Sequence, residues 1–151
     1  MDRREAVVFT NMCMIRDGDR VVVQDRQDPR WSGITFPGGH VEPGEPFTDA
    51  VIRETREETG LTISHPRLCG VKDWYDKNGR YVVLLYIAEK YSGELHGSEE
   101  GPVFWVNLGD MPGMRMTPDM DRMLRVFLED ELSEFFIWDP EIGRASCRER
   151  V

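Results

Sequence analysis

The stretch Arg53-Glu54-Thr55-Arg56-Glu57-Glu58 holds the chain's strongest concentration of groups able to do chemistry. On a helix, at about 100° per residue, Glu57, Glu54 and Glu58 fall within roughly a 100° wedge one turn deep. Val51, Thr55 and Thr59 then occupy the neighbouring side. Carboxylates crowded in this way repel, which raises their pKa values and weakens the helix. A hard divalent cation with oxygen ligands turns that repulsion into attraction, so magnesium is the natural occupant, with manganese as a substitute. The loop Phe36-Pro37-Gly38-Gly39 lets backbone approach backbone and leaves carbonyls free to coordinate. Arg53, with its fixed fork, is placed to hold a carboxylate such as Glu45 and so to orient the ligands.

These groups need a frame. Ala6 to Ile15 is β-branched and apolar, turns at Asp17-Gly18-Asp19, and continues as the Val-rich run Arg20 to Gln24, which predicts a hairpin. Leu68 to Trp74 and Arg80 to Tyr91 flank Asp76-Lys77-Asn78-Gly79, whose Asn-Gly pair accommodates positive backbone angles and predicts a second hairpin. Pro102 to Asn107 gives one more strand. The acidic helix is predicted from about Phe47 to Thr59, with Gly60 as a left-handed cap. A second helix is predicted to start with Thr117 as N-cap, Pro118 in the first position and Asp119 in the first turn. Met120, Met123, Leu124, Phe127 and Leu128 would form its buried stripe. Mixed strands with two interspersed helices, without repeats, imply an α/β/α sandwich around a mixed β-sheet, as one domain over residues 1–140. Residues 141–151 are set apart. Ile142 onward reads IGRASCRERV, the in-frame translation of a common short-read sequencing adapter, and this tail is expected to be non-native.

The pattern from Gly39 to Leu61 is wider than one charged helix. Glycine, five residues, Glu45, seven residues, then Arg53-Glu54, Glu57-Glu58, Gly60 and an aliphatic Leu61 resembles the signature of the Nudix hydrolases at every fixed charged or glycine position. The departure is Thr55, where the family has an aliphatic residue facing the core. The resemblance extends to the strand Ala6 to Ile15, the approach WSGITFPGGHVE, and a final helix around Ser133-Glu134-Phe135-Phe136. It implies a Nudix fold in which Gly39 gives a carbonyl ligand, Glu57 and Glu58 bind magnesium, and Glu54 binds metal or acts as base. Glu100 is a further ligand or base, or a solvated loop acid.

The resemblance is strongest to MutT-like members. It implies hydrolysis of a nucleoside triphosphate, 8-oxo-dGTP first, to monophosphate and pyrophosphate. Another triphosphate, a nucleotide sugar, ADP-ribose, or a sensor module without turnover are the alternatives. Base recognition must come from outside the signature. Asn11 offers a donor and an acceptor to a purine edge, or else satisfies backbone. Trp31, Phe36, Trp74 and Tyr75 give stacking surface or core. Asp119 contacts the base or favours the helix dipole.

Composition bounds the remaining possibilities. At 40% hydrophobic and 31% charged, the 151 residues are globular rather than disordered. A net charge of −9 argues against binding duplex nucleic acid, which needs clustered Lys and Arg, and sets a puzzle for a protein that handles phosphates unless a cation stands between. No run spans a bilayer and no leader opens the chain, so a cytoplasmic protein acting on a small-molecule nucleotide is expected. Oligomeric state is not legible. Cys13, Cys69 and Cys147 match no metal spacing, and the first two are expected to be buried thiols.

Overall fold

The computed structural model describes residues 1–139 and 144–150. Strand β1 (Val7–Asp17) turns at Gly18, with φ +61°, into β2 (Arg20–Arg26), giving the first hairpin. Two short strands follow, β3 (Gly33–Thr35) and β4 (Gly38–His40), then helix α1 (Phe47–Thr59) and β5 (Thr62–Ser64). The second hairpin is β6 (Arg67–Asp76) and β7 (Gly79–Ala88), and β8 (Lys90–Ser92) and β9 (Val103–Asn107) come next. Helix α2 (Met120–Leu128), β10 (Leu132–Asp139) and β11 (Arg144–Glu149) complete the described chain.

The main sheet runs β11-β10-β6-β7-β1-β2-β3, with β4 also on β1 and β9 also on β2; β5 and β8 form a separate ribbon. Its mixed character comes from two parallel pairings, β1 with β7 and β10 with β6. On β1, Cys13 and Ile15 join the cluster around Val51 of α1, while Met14 joins the cluster around Met120, Met123 and Phe127 of α2. Alternate residues of one strand therefore enter two cores, which is what a sheet covered by a helix on each face requires. The α/β/α sandwich expected from the sequence is the observed architecture.

Several local expectations fail for physical reasons. Ser133 to Phe136 is not a helix: it lies in β10, parallel to β6, with Phe135 and Ile137 buried and Glu134 and Phe136 only half-buried, a period of two. Arg80 to Tyr91 is not one strand, because it leaves the main sheet at Glu89 and β8 pairs with β5. In the second turn the positive angle falls on Gly79 alone, at φ +137°. Thr117 is not the N-cap. Its N–H donates to the Ile34 carbonyl, pinning it to β3, and the helix begins after Asp119, which holds the left-handed conformation at φ +67°. Leu128, at the last position of α2, is exposed, and Val126 is buried in its place.

Candidate active site

Helix α1 has the boundaries expected, ending at Gly60 with φ +78°, whose N–H donates to the Arg56 carbonyl. Val51, Thr55 and Thr59 are fully buried, so the face they share is fastened to the sheet and the glutamates beside it are carried to the sheet surface. Glu54 and Glu58 are buried and Glu57 is exposed.

Arg53 organises one side of the acidic group. Its Nε and Nη2 donate to the two Glu45 oxygens at 2.8 and 2.9 Å, the expected fork. Nη1 donates to Glu54 Oε1 at 2.9 Å and reaches Glu57 at 3.3 Å, and Nη2 also donates to the His40 carbonyl. This guanidinium holds the Glu45 carboxyl down to about 2. Glu54 goes the other way: burial raises it above the usual carboxylate range, and Arg53 offsets only part of that.

Glycine is obligatory beside Glu54. A Cβ on Gly39 would stand 2.1 Å from Glu54 Oε2, and one on Gly38 would stand 2.0 Å from the Asn11 carbonyl oxygen. The two glycines let β4 lie between β1 and α1. Asn11 fastens this arrangement, since its Oδ1 accepts from the Gly39 N–H at 3.2 Å while its Nδ2 has no partner among the described residues.

Glu58 is held from elements the signature does not contain. Gln24 of β2 and Ser98 each donate to Glu58 Oε2 at 2.7 Å. Ser98 Oγ also accepts from the Glu100 N–H, so one serine ties the loop acid to the helix acid. Burial and then the Glu58 charge raise the Glu100 carboxyl. Sequence reasoning missed Gln24 and Ser98. The signal for Gln24 was a lone amide at the end of a buried valine run.

Among the described residues, no three His, Cys, Asp or Glu side chains converge on one point as they stand. Arg53 engages Glu54 and Glu57, and Gln24 and Ser98 engage Glu58. The donor set still suits a hard divalent cation: it is all oxygen, with two buried carboxylates and a third acid raised by burial and then by the Glu58 charge. A cation would relieve that repulsion.

On the other side of the glycines opens a cavity of about 470 Å³, within the usual range for a small-molecule site. Gly38, Gly39, Gln24 and Arg26 line it near the acids; Trp31, Lys72, Trp74 and Asp119 line it elsewhere. Asn11, Trp31, Phe36, Trp74 and Asp119 thus meet in one cavity. Phe36 is only 2% exposed and packs edge-on against Phe127 at 5.0 Å, so most of its surface is core. Tyr75 is not among the lining residues; it follows Trp74 on the strand and its hydroxyl donates to Glu5. Cys13 and Cys69 are buried free thiols, pushed up to about 12 and about 11, and take no part.

A mixed sheet between two helices, with a glycine-framed acidic helix at its surface, defines a phosphoanhydride hydrolase of the Nudix class. The NUDIX domain family matches residues 7–127, and the chain belongs to that family. It is 33% identical over 144 residues to the uncharacterized Nudix hydrolase YvcI of Bacillus subtilis, covering 90% of each protein. It is 37% identical over 76 residues to the 8-oxo-dGTP diphosphatase of Escherichia coli, covering 50% of this chain and 58% of that one. The fold superposes with a TM-score of 0.75 on the mutator MutT protein from Bacillus halodurans, at 26% identity, covering 93% and 96% of the two chains. No helix among the described residues is long and apolar enough to cross a membrane.

Proposed function

We propose that the chain hydrolyses a nucleoside triphosphate, 8-oxo-dGTP first among them, to nucleoside monophosphate and pyrophosphate with magnesium, manganese substituting. The observation that carries this reading is the cavity bounded by Gly39, which abuts Glu54, and Gln24, which donates to Glu58. A base in the aromatic part of that cavity leaves its phosphates against the acidic helix. The likeness to the Escherichia coli diphosphatase over 76 residues supports the same substrate.

Glu57, Glu58, Glu54 and the Gly39 carbonyl would hold the metal, with Glu100 joining them or serving as base. The bound ion supplies charge neutralisation on the phosphates and a more acidic water. Arg53 keeps Glu54 and Glu57 in register with Glu45. Burial makes Glu54 and Glu100 better proton acceptors than ordinary carboxylates. Water oxygen bonds to phosphorus and the P–O bond bridging the α and β phosphorus atoms breaks, giving nucleoside monophosphate and pyrophosphate; the water proton passes to a carboxylate.

A panel of nucleotides with magnesium, scored for monophosphate and pyrophosphate, ranks substrates. Turnover of no member would exclude hydrolysis and leave a sensor. Glu57, exposed and joined among the described residues only to Arg53, is the informative variant. E57Q should lower kcat by at least about 100-fold with Tm unchanged, and a near-normal rate would refute its place among the ligands.

A further inference from the structure

Lys72 is 6% exposed, faces the cavity, and makes no salt bridge or side-chain hydrogen bond among the described residues. Its ammonium stands 5.3 Å from the Trp31 ring and 5.1 Å from the Trp74 ring. A buried lysine without an acceptor is costly, and two aromatic faces return only part of what water supplied. Burial accordingly pushes Lys72 below the ordinary lysine range, with Asp119 pulling it partly back.

Asp119 also lines the cavity. Its left-handed backbone at φ +67° is strained for a residue with a Cβ, and its carboxylate caps no helix N–H; its nearest cation is Arg122, at 4.0 Å. Besides Asn11 Nδ2 and Arg26 Nε toward the acids, which have no partner among the described residues, the cavity thus presents an unengaged ammonium and a largely unengaged carboxylate beside two indole rings.

We propose that Lys72 is the specificity-determining residue of this cavity, donating to a ring carbonyl of the nucleobase while Asp119 accepts from a ring N–H or amino group, so that guanine-type purines are preferred over adenine-type. The assignment rests on the nucleotide hydrolysis proposed above. Guanine carries a carbonyl at C6 beside an N1–H, matching the pair. Adenine carries an amino donor at C6, which would meet the ammonium donor to donor. A phosphate is the weaker candidate for Lys72. Lys72 on β6 pairs with Val83, Val83 with Thr10, and Thr10 with His40 of β4, three strand spacings or roughly 14 Å from the glycine end.

The test compares wild type, K72M and K72Q for kcat/KM on dGTP and dATP with magnesium, alongside calorimetric binding of dGMP and dAMP without metal. Wild type should prefer the guanine nucleotide in both assays. K72M should lower the guanine-to-adenine ratio about 10- to 100-fold, through KM and product affinity, with kcat changed less than about threefold. K72Q retains an N–H donor and should keep most of the preference; should K72M fail to fold, K72E, which sets an acceptor against the guanine carbonyl, decides the matter by lowering the ratio at least as far. No guanine preference in wild type, or an unchanged ratio in K72M or in K72E taken in its place, overturns the assignment. If neither triphosphate nor 8-oxo-dGTP is turned over, the hydrolysis reading fails, while the dGMP-to-dAMP ratio still decides the role of Lys72.

Discussion

Gly39 and Gly38 are adjacent, both leave almost no room for a Cβ, and alanine at the two positions should fail in different ways. At Gly39 the new methyl would sit 2.1 Å from Glu54 Oε2, the mobile end of a side chain. Reaching ordinary contact near 3.4 Å requires the carboxylate to move by about 1.3 Å. Gly39 does not have a positive φ, so alanine adds no backbone strain. The fold therefore tolerates the change while the acid is displaced from Arg53 and from its place against Gly39. A misplacement of about 1 Å in a reacting constellation costs on the order of 100-fold in rate, or about 2.7 kcal/mol in the barrier.

At Gly38 the methyl would meet the Asn11 backbone oxygen at 2.0 Å, in the middle of β1, which is paired on both sides. That oxygen cannot retreat without opening the sheet. G38A should lose at least about 3 kcal/mol of stability or fail to fold. The assay is paired: urea unfolding for stability, and magnesium-dependent release of pyrophosphate for activity. G39A should unfold within about 1 kcal/mol of wild type and lose about 100-fold in kcat/KM. G39A activity within about threefold of wild type would refute the argument that Glu54 is a placed catalytic group, and so would equal destabilisation by both variants.

Three further outcomes are expected. Thr55 is fully buried with a hydroxyl that has no hydrogen-bond partner among the described residues, so T55V should stabilise by about 1 kcal/mol in urea unfolding without altering kcat. Asp73 is raised to about 7 by burial and by Glu134 beside it, despite its 3.0 Å contact with Arg80. The folded state therefore holds a proton that the unfolded chain releases near pH 4, and the stabilisation present below that pH is lost as pH rises toward 7, by up to about 1.4 kcal/mol per pH unit. Unfolding free energy from pH 5 to 7.5 should fall more steeply in wild type than in D73N, and parallel curves would place the proton elsewhere. We propose that residues 141–151 are a non-native appendage, although the described part pairs as β11 with β10. A chain ending at 140 should keep kcat/KM within about twofold, and a loss beyond about tenfold would make the segment part of the protein.

What the sequence made legible depended on how locally each feature is determined. Helix α1 was readable to the residue because its apolar side, its acids and its Gly60 cap all lie within one short segment. Arg53 with Glu45 was readable for the same reason. Ser133 to Phe136 was not, because four residues with two adjacent phenylalanines fit either period, and the exposed edge of β6 decided for a strand. Thr117 has every local mark of an N-cap, yet its amide was claimed by Ile34, eighty-three residues earlier in sequence. Ser98 and Lys72 were invisible, and Gln24 showed only as a lone amide after valines, because each takes its meaning from a partner on another element.

The acidic charge of the chain and the phosphate chemistry proposed for it are reconciled by this division of the molecule. The signature supplies an anionic helix that is serviceable only with a cation, and it contains nothing that distinguishes one nucleobase from another. The cavity supplies the opposite: a buried ammonium, two indoles and a strained aspartate, none of them within the Gly39 to Leu61 segment. What joins the two is β1 with β4, where the Asn11 amide accepts from the Gly39 N–H and Gly39 abuts Glu54. Substrate choice can therefore change through β6 and the start of α2 while the hydrolytic apparatus stays as it is. The reverse does not hold, because a side chain on Gly39 displaces the acid and one on Gly38 disturbs the strand on which the cavity is built.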